Sequence, residues 1–175
     1  DFPHLSLSTF YDTINFDDPA HLCFEQLIAD LKQIKSSPIG KTLQFQKLQY
    51  GTPNQKPTII QNGNTLIVPQ ILITEGIFAF HTMDLTNQYD FKIYIDIDEN
   101  ERKNRWLQRN IEDNRGTTDN MWNTSVHCMT QHIQPKQHLA DSIINNTHTE
   151  AALEAFIQTV VAQLTQPNAT QPPSH

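Results

Sequence analysis

Glu75-Gly76 closes an apolar run, Ile71-Leu72-Ile73-Thr74, and is followed by Ile77-Phe78-Ala79-Phe80. A short run rich in branched residues and bounded by turn residues reads as a strand buried on both faces, as in a parallel sheet. A carboxylate at the carboxyl end of such a strand sits where open α/β sheets bind their ligands. The competing reading is a core strand that ends in an exposed Glu-Gly turn. A second cluster is cationic. Arg102, Lys103, Arg105, Arg109 and Arg115 put five of the twelve basic residues within 14 positions. Arginine forks match phosphate oxygens, so one face of such a helix suits a polyphosphate. The same spacing also serves a solvated face with ordinary Glu/Arg pairs.

Two other groupings are weaker. Gly40-Lys41-Thr42 resembles the tail of a phosphate-binding loop, but Lys35 stands where that loop needs its first glycine. The loop should also follow a strand, and here a helix precedes it, so a helix end leading into a strand is the better reading. His127, Cys128, His132 and His138 match no standard zinc spacing.

These residues need elements to position them. Asp18 and Pro19 suit the cap and first position of a helix. Phe24, Leu27, Ile28, Leu31 and Ile34 continue that helix at amphipathic spacing, up to Ser36-Ser37-Pro38. Thr58–Gln61 and Thr65–Val68 flank Asn62-Gly63-Asn64, the strongest local hairpin signal. Phe91–Ile97 alternates as a strand and Glu99 to about Asn114 reads as a helix. Ala140–Ile144 is a last strand. Thr147 and Glu150 have capping-box spacing ahead of Leu153, Phe156, Ile157, Val160, Val161 and Leu164, an amphipathic terminal helix. The alternation of strands and helices predicts an α/β fold, a mostly parallel sheet flanked by helices, with a β-hairpin on one side. One domain is expected over residues 1–164 and a disordered tail over 165–175.

The 175 residues suffice for one domain with a real core, at 37% hydrophobic content and a net charge of −7. That acidity argues against general nucleic-acid or anionic-membrane binding, both of which want a basic face. No apolar run approaches the roughly 20 residues of a membrane span, and no signal peptide is visible. Two cysteines, Cys23 and Cys128, make no disulfide framework, which fits a reducing cytoplasm.

From about Leu5 to Glu150 the chain resembles the uridine kinase (uridine-cytidine kinase) branch of the P-loop kinases, alongside phosphoribulokinases. The pieces are Ser8-Thr9-Phe10-Tyr11, Asn15-Phe16-Asp17-Asp18-Pro19, Glu75-Gly76-Ile77-Phe78-Ala79-Phe80, Phe91–Asp98, Arg102–Gly116, and Ile133-Gln134-Pro135 with Ala140–Ile144. Each is weak alone, and their shared order makes the resemblance specific. It implies a P-loop NTPase-like fold and phosphoryl transfer from ATP, with Mg²⁺, to the 5′-hydroxyl of uridine or cytidine. By the same resemblance Asp17 binds the nucleoside sugar and Tyr11 lies near the nucleoside. Glu75 is the acid near metal and phosphates, and Arg109 and Arg115 are lid arginines. The implied partners are a nucleoside and a nucleoside triphosphate. Family members often form homo-oligomers, although no interface is legible in this sequence.

The chain also departs from the family pattern. The glycine-rich phosphate loop is expected ahead of the matched region, and Ser8 stands at the family's catalytic Asp position. A serine hydroxyl is no base near neutral pH. The pyrimidine-reading Tyr, His and Arg fall near Leu48, Pro53 and Gln55, while Trp106 and Thr117 replace further arginines. The link between Tyr11 and Asn15 is short. Three readings follow: a uridine kinase-like enzyme lacking its N-terminal loop, a degenerate relative that binds a nucleotide or a protein, and a related kinase for another small hydroxylated substrate, such as a phosphoribulokinase-like or pantothenate kinase-like protein.

Overall fold

The computed structural model describes residues 17–49, 58–60, 63–145 and 150–165. Asp18 caps a short 3-10 turn, Pro19–His21, by accepting a hydrogen bond from the Ala20 N–H at 2.8 Å. The amphipathic helix α1 starts later than expected, at Phe24, and runs to Lys35 with Leu31 buried. Proline at the first position therefore opens the turn rather than the long helix. At the far end of α1, Lys35 reaches Asp90 at 2.7 Å and the Gln88 carbonyl at 2.9 Å, tying the helix to the loop after a one-turn helix, α2 (Met83–Thr86).

Gly40 takes φ +86°, the left-handed region that suits glycine at a helix-to-strand turn. It donates to the Val68 carbonyl at 2.9 Å, and β1 (Thr42–Gln44) begins at once. Gly40-Lys41-Thr42 is thus a helix-end turn leading into a strand, followed by β2 (Lys47–Gln49). β1 and β2 are the outgoing arm of one long antiparallel ribbon. The returning arm is β3 (Thr58–Ile60), paired with β2, and β4 (Thr65–Ile67), paired with β1. The ribbon corrects the expected hairpin. Its strands 58–60 and 65–67 do not pair with each other, and Gly63-Asn64 leads into β4 opposite Phe45 rather than forming a hairpin tip between them; Asn62 lies outside the described residues. Phe45 N–H donates to the Asn64 carbonyl at 2.9 Å. A Cβ on Gly63 would overlap the Phe45 carbonyl oxygen, so the glycine serves close backbone approach, not a two-residue turn.

The second unit is a parallel pair, β5 (Ile93–Asp96) with β6 (Ser142–Asn145), in register from Ile93 opposite Ser142 to Asp96 opposite Asn145. Between them run α3 (Glu99–Glu112), α4 (Asp119–Cys128), a π-helical turn (Met129–Ile133) and a 3-10 stretch (Gln134–Leu139). A crossover of this kind is what a parallel pair requires. Asp98 caps α3 by accepting from Asn100 and Glu101 N–H at 2.9 and 3.3 Å, and Thr118 caps α4 by accepting from Met121 N–H at 3.2 Å. Asn114, at φ +54°, ends α3 in the left-handed conformation. The mouth of the pair is clamped: Lys92 Nζ meets Asp141 at 2.9 Å, and the Lys92 carbonyl accepts from Asp141 and Ser142 N–H. The core holds Leu31, Leu43, Val68, Phe78, Leu85, Tyr94, Trp122, Cys128 and Ile144. α5 (Glu150–Thr165) closes the described chain. Thr147 and residues 166–175, expected as a cap and a tail, lie outside the described residues.

The architecture is mixed α/β, with a parallel pair flanked by helices and a β-hairpin ribbon. A further local expectation fails. Ile71–Thr74 forms no strand, and its three apolar side chains are exposed, Ile73 to 85%. A strand exists only through its ladder, and among the described residues none pairs with this run. The four-residue helix α2, the helix α4 and the π-helical turn were not legible beforehand. α4 is rich in Asn, Thr and Ser, and its apolar positions are sparse.

Candidate functional site

The site is built where the start of α1 faces the turn after Glu75. An open pocket of about 240 Å³ lies there, walled on one side by Leu22, Phe24 and Leu27 and on the other by Thr74–Ala79 and Tyr89. Each wall has a local cause. The break at Leu22-Cys23, between the Asp18-capped turn and α1, aims Phe24 and Leu27 into the pocket. Successive tight turns over Ile77–Phe80 bring Ala79 N–H to the Gly76 carbonyl at 3.1 Å and bury Phe78. Glu75 is exposed and contributes the only carboxylate among the lining residues. The wall is otherwise apolar apart from Thr74 and the Tyr89 hydroxyl. That hydroxyl is buried without a hydrogen-bond partner, and burial raises the Tyr89 pKa above the usual phenol range.

The remaining sequence-derived residues sit as follows. Asp17 is half-buried just ahead of the Pro19–His21 turn. It lies close enough to the end of α4 to act on Cys128. Burial first, then the Asp17 and Asp18 carboxylates, push that thiol up to about 11. Arg109 is exposed on the last turn of α3. Arg115, three residues past that helix, is half-buried and pairs with Asp113 at 2.7 Å. Its backbone N–H donates to the carbonyl of buried Asn110 at 2.9 Å. Neither arginine lines the pocket that holds Glu75. Ser8 and Tyr11 fall outside the described residues.

The basic helix also carries an aromatic joint that spacing did not reveal. Trp106 of α3 meets Trp122 of α4 with ring centroids 5.5 Å apart. The Arg102 guanidinium and the Lys103 ammonium lie over the Trp122 ring at 5.5 and 5.6 Å from its centroid. Arg105 pairs with Glu101 at 2.7 Å, one turn back. Part of the cationic cluster is thus used to hold α3 against α4, through cation–π contact and an i,i+4 pair. Arg109 and Arg115 extend from a braced helix pair.

Among the described residues no three His, Cys, Asp or Glu side chains converge as a self-contained metal site. A nucleotide-bound Mg²⁺ needs no such cage. It takes one or two carboxylates, with phosphate oxygens and water in its other positions. Glu75, exposed at the pocket rim, suits that role.

The α/β arrangement is consistent with a P-loop kinase-like fold, and sequence comparison agrees. The model of the Phosphoribulokinase / Uridine kinase family matches residues 6–152. The chain belongs to that family. It is 30% identical over 156 residues to the uridine kinase of Macrococcus caseolyticus, covering 87% of this chain and 72% of that protein. It is 28% identical over 178 residues to uridine-cytidine kinase-like 1 of Mus musculus, covering 91% of this chain and 31% of that protein. The uridine kinase of Clostridium novyi is 28% identical over 142 residues, with 78% and 65% covered. The chain thus spans less than a third of its mouse relative. Among the described residues no helix is long and apolar enough to cross a membrane.

Proposed function

We propose that this chain is a uridine kinase-like phosphotransferase domain of the cytoplasm, acting in pyrimidine salvage. The single observation that carries the reading is the family match across residues 6–152, which includes Glu75 at the rim of an open pocket. The substrates are ATP and uridine or cytidine. The 5′-hydroxyl oxygen attacks the γ-phosphorus, the bond to the β-phosphate oxygen breaks, and the hydroxyl proton leaves to a base or to water. Asp17 and Tyr11 hold the nucleoside, with Asp17 accepting from the sugar hydroxyls. Arg109 and Arg115 neutralise charge on the transferring group, where a fixed cation is worth most. Glu75 would hold Mg²⁺, and the ion would supply neutralising charge to the phosphates.

A second reading is favoured by one residue. Ser8 stands where the family carries its catalytic Asp, so nothing at that position takes the hydroxyl proton at neutral pH. The chain would then bind nucleotide without turnover. Two measurements on the purified chain separate the readings: radiolabelled phosphate transfer from ATP-Mg²⁺ to uridine, and calorimetric titration with each ligand. Formation of uridine 5′-monophosphate, reduced on the order of 100-fold by Glu75→Gln, supports the kinase. ATP binding without product supports the binder. Binding of neither ligand overturns both. In a chain that binds ATP, unchanged affinity in Arg109→Ala removes that arginine from the site.

A further inference from the structure

Behind the Phe24 and Phe78 walls of the pocket lies a cluster of rings that the proposed reaction does not use. His81 stacks on Phe24 with ring centroids 4.6 Å apart and planes inclined by 22°. Phe78 meets the same imidazole edge-on at 5.9 Å. From the π-helical turn, His132 approaches His81 at 6.1 Å and Phe78 at 6.4 Å, both in edge-to-face geometry. Three stretches distant in sequence therefore meet at one imidazole: the first turn of α1, the turn after Glu75, and the segment following α4. His81 Nδ1 is buried with no hydrogen-bond partner.

This surrounding suits a neutral ring and penalises a charged one. A proton added to His81 would place an imidazolium in a half-buried, aromatic-lined position with one nitrogen unpartnered. The titratable and charged groups acting on it are His132 from the π-helical turn and Lys136 from the 3-10 stretch, and both oppose the charge. α1 presents the Phe24 ring, and its own turn presents the Phe78 ring. Among the described residues no carboxylate is paired with it to offset these effects.

We propose that the neutral His81 ring, stacked on Phe24 and flanked edge-on by Phe78 and His132, is an acid-sensitive latch, holding α1 against the Gly76–His81 turn and so keeping the Phe24 and Phe78 pocket walls in place. Burial first, then His132 and Lys136, hold the His81 pKa below its ordinary 6.5. The unfolded chain takes up this proton near pH 6.5 and the folded chain only at lower pH. The stabilisation is therefore complete above about pH 6.5 and is lost as the pH falls through the lower folded value. This inference does not depend on the chain being a kinase.

The test is thermal unfolding of the full chain at about pH 7.5 and about pH 5.5, for wild type and for His81→Phe. Phenylalanine preserves the stack on Phe24 and takes no proton. The wild-type midpoint is expected to fall by several degrees more than the variant's over that interval. Equal falls overturn the latch. Should His81→Phe fail to fold, the His81 ring protons of the wild type decide by nuclear magnetic resonance titration. A midpoint below that of a histidine peptide in the same buffer supports the proposal, and one at or above it overturns it.

Discussion

Ile71–Thr74, followed by Glu75, and Ile93–Asp96, which ends in an acid, are both short, β-prone runs, yet they have opposite fates. Ile93–Asp96 pairs with Ser142–Asn145, and the pair buries one residue on each face: Tyr94, opposite exposed Ile143, and Ile144, opposite exposed Ile95. Ile71–Thr74 carries a more apolar sequence, but it is irregular and Ile73 is 85% exposed. The contrast shows that a strand belongs to a pair of segments. Hydrophobicity makes a segment worth burying, but only a ladder partner satisfies its N–H and C=O groups. It also separates two duties. The paired run and its crossover carry stability, whereas the unpaired run delivers Glu75 to an accessible rim.

The largest expected effect tests that separation. Tyr94→Ala and Ile144→Ala should each cost about 2–5 kcal/mol in urea unfolding, because both side chains are buried beside the ladder. Ile73→Ala should stay within about 0.5 kcal/mol. A comparable loss at Ile73 would mean that the run is covered in solution and would break the comparison. Next comes the clamp at the mouth of the pair. Asp141→Ala removes the contact to Lys92 Nζ at 2.9 Å and the acceptor for Lys92 N–H at 2.7 Å. Both groups keep some solvent access, so the loss should be about 1 kcal/mol, and Lys92→Ala in a double-mutant cycle should show coupling.

Asp98→Ala should cost a similar or slightly smaller amount, about 0.5–1 kcal/mol, through the lost cap of α3. Circular dichroism should report that loss as fraying of a helix, with the parallel pair intact. The smallest effect is chemical. The Cys128 thiol, pushed up to about 11 and buried, should react with a thiol reagent near neutral pH much more slowly than half-buried Cys23. Equal rates would show that the junction between α4 and the Asp17-Asp18 turn opens readily.

Much was legible where one segment carries its own signal. The Asp98-headed helix with its basic run, the alternating Phe91–Ile97 strand and the amphipathic helices α1 and α5 all have periodicity or caps within a few residues. The family resemblance came from the order of such pieces. The rest depended on partners. Asn62-Gly63-Asn64 carries a genuine turn signal, but Gly63 answers to the Phe45 carbonyl pressed against it across the ribbon. Trp106 reads as a lost arginine until Trp122 is found beside it. His132 reads as part of a failed zinc pattern until His81, Phe24 and Phe78 surround it.

The sequence by itself determined the α/β alternation, the family and the basic helix. These rest on local propensity, caps and motif order, which travel with the chain wherever it folds. Tertiary structure alone decided which β-prone runs became strands, which cations braced Trp122, and which face of α1 met the turn after Glu75. Those outcomes depend on contacts between residues far apart in sequence, and their free energy exists only once both partners are in place.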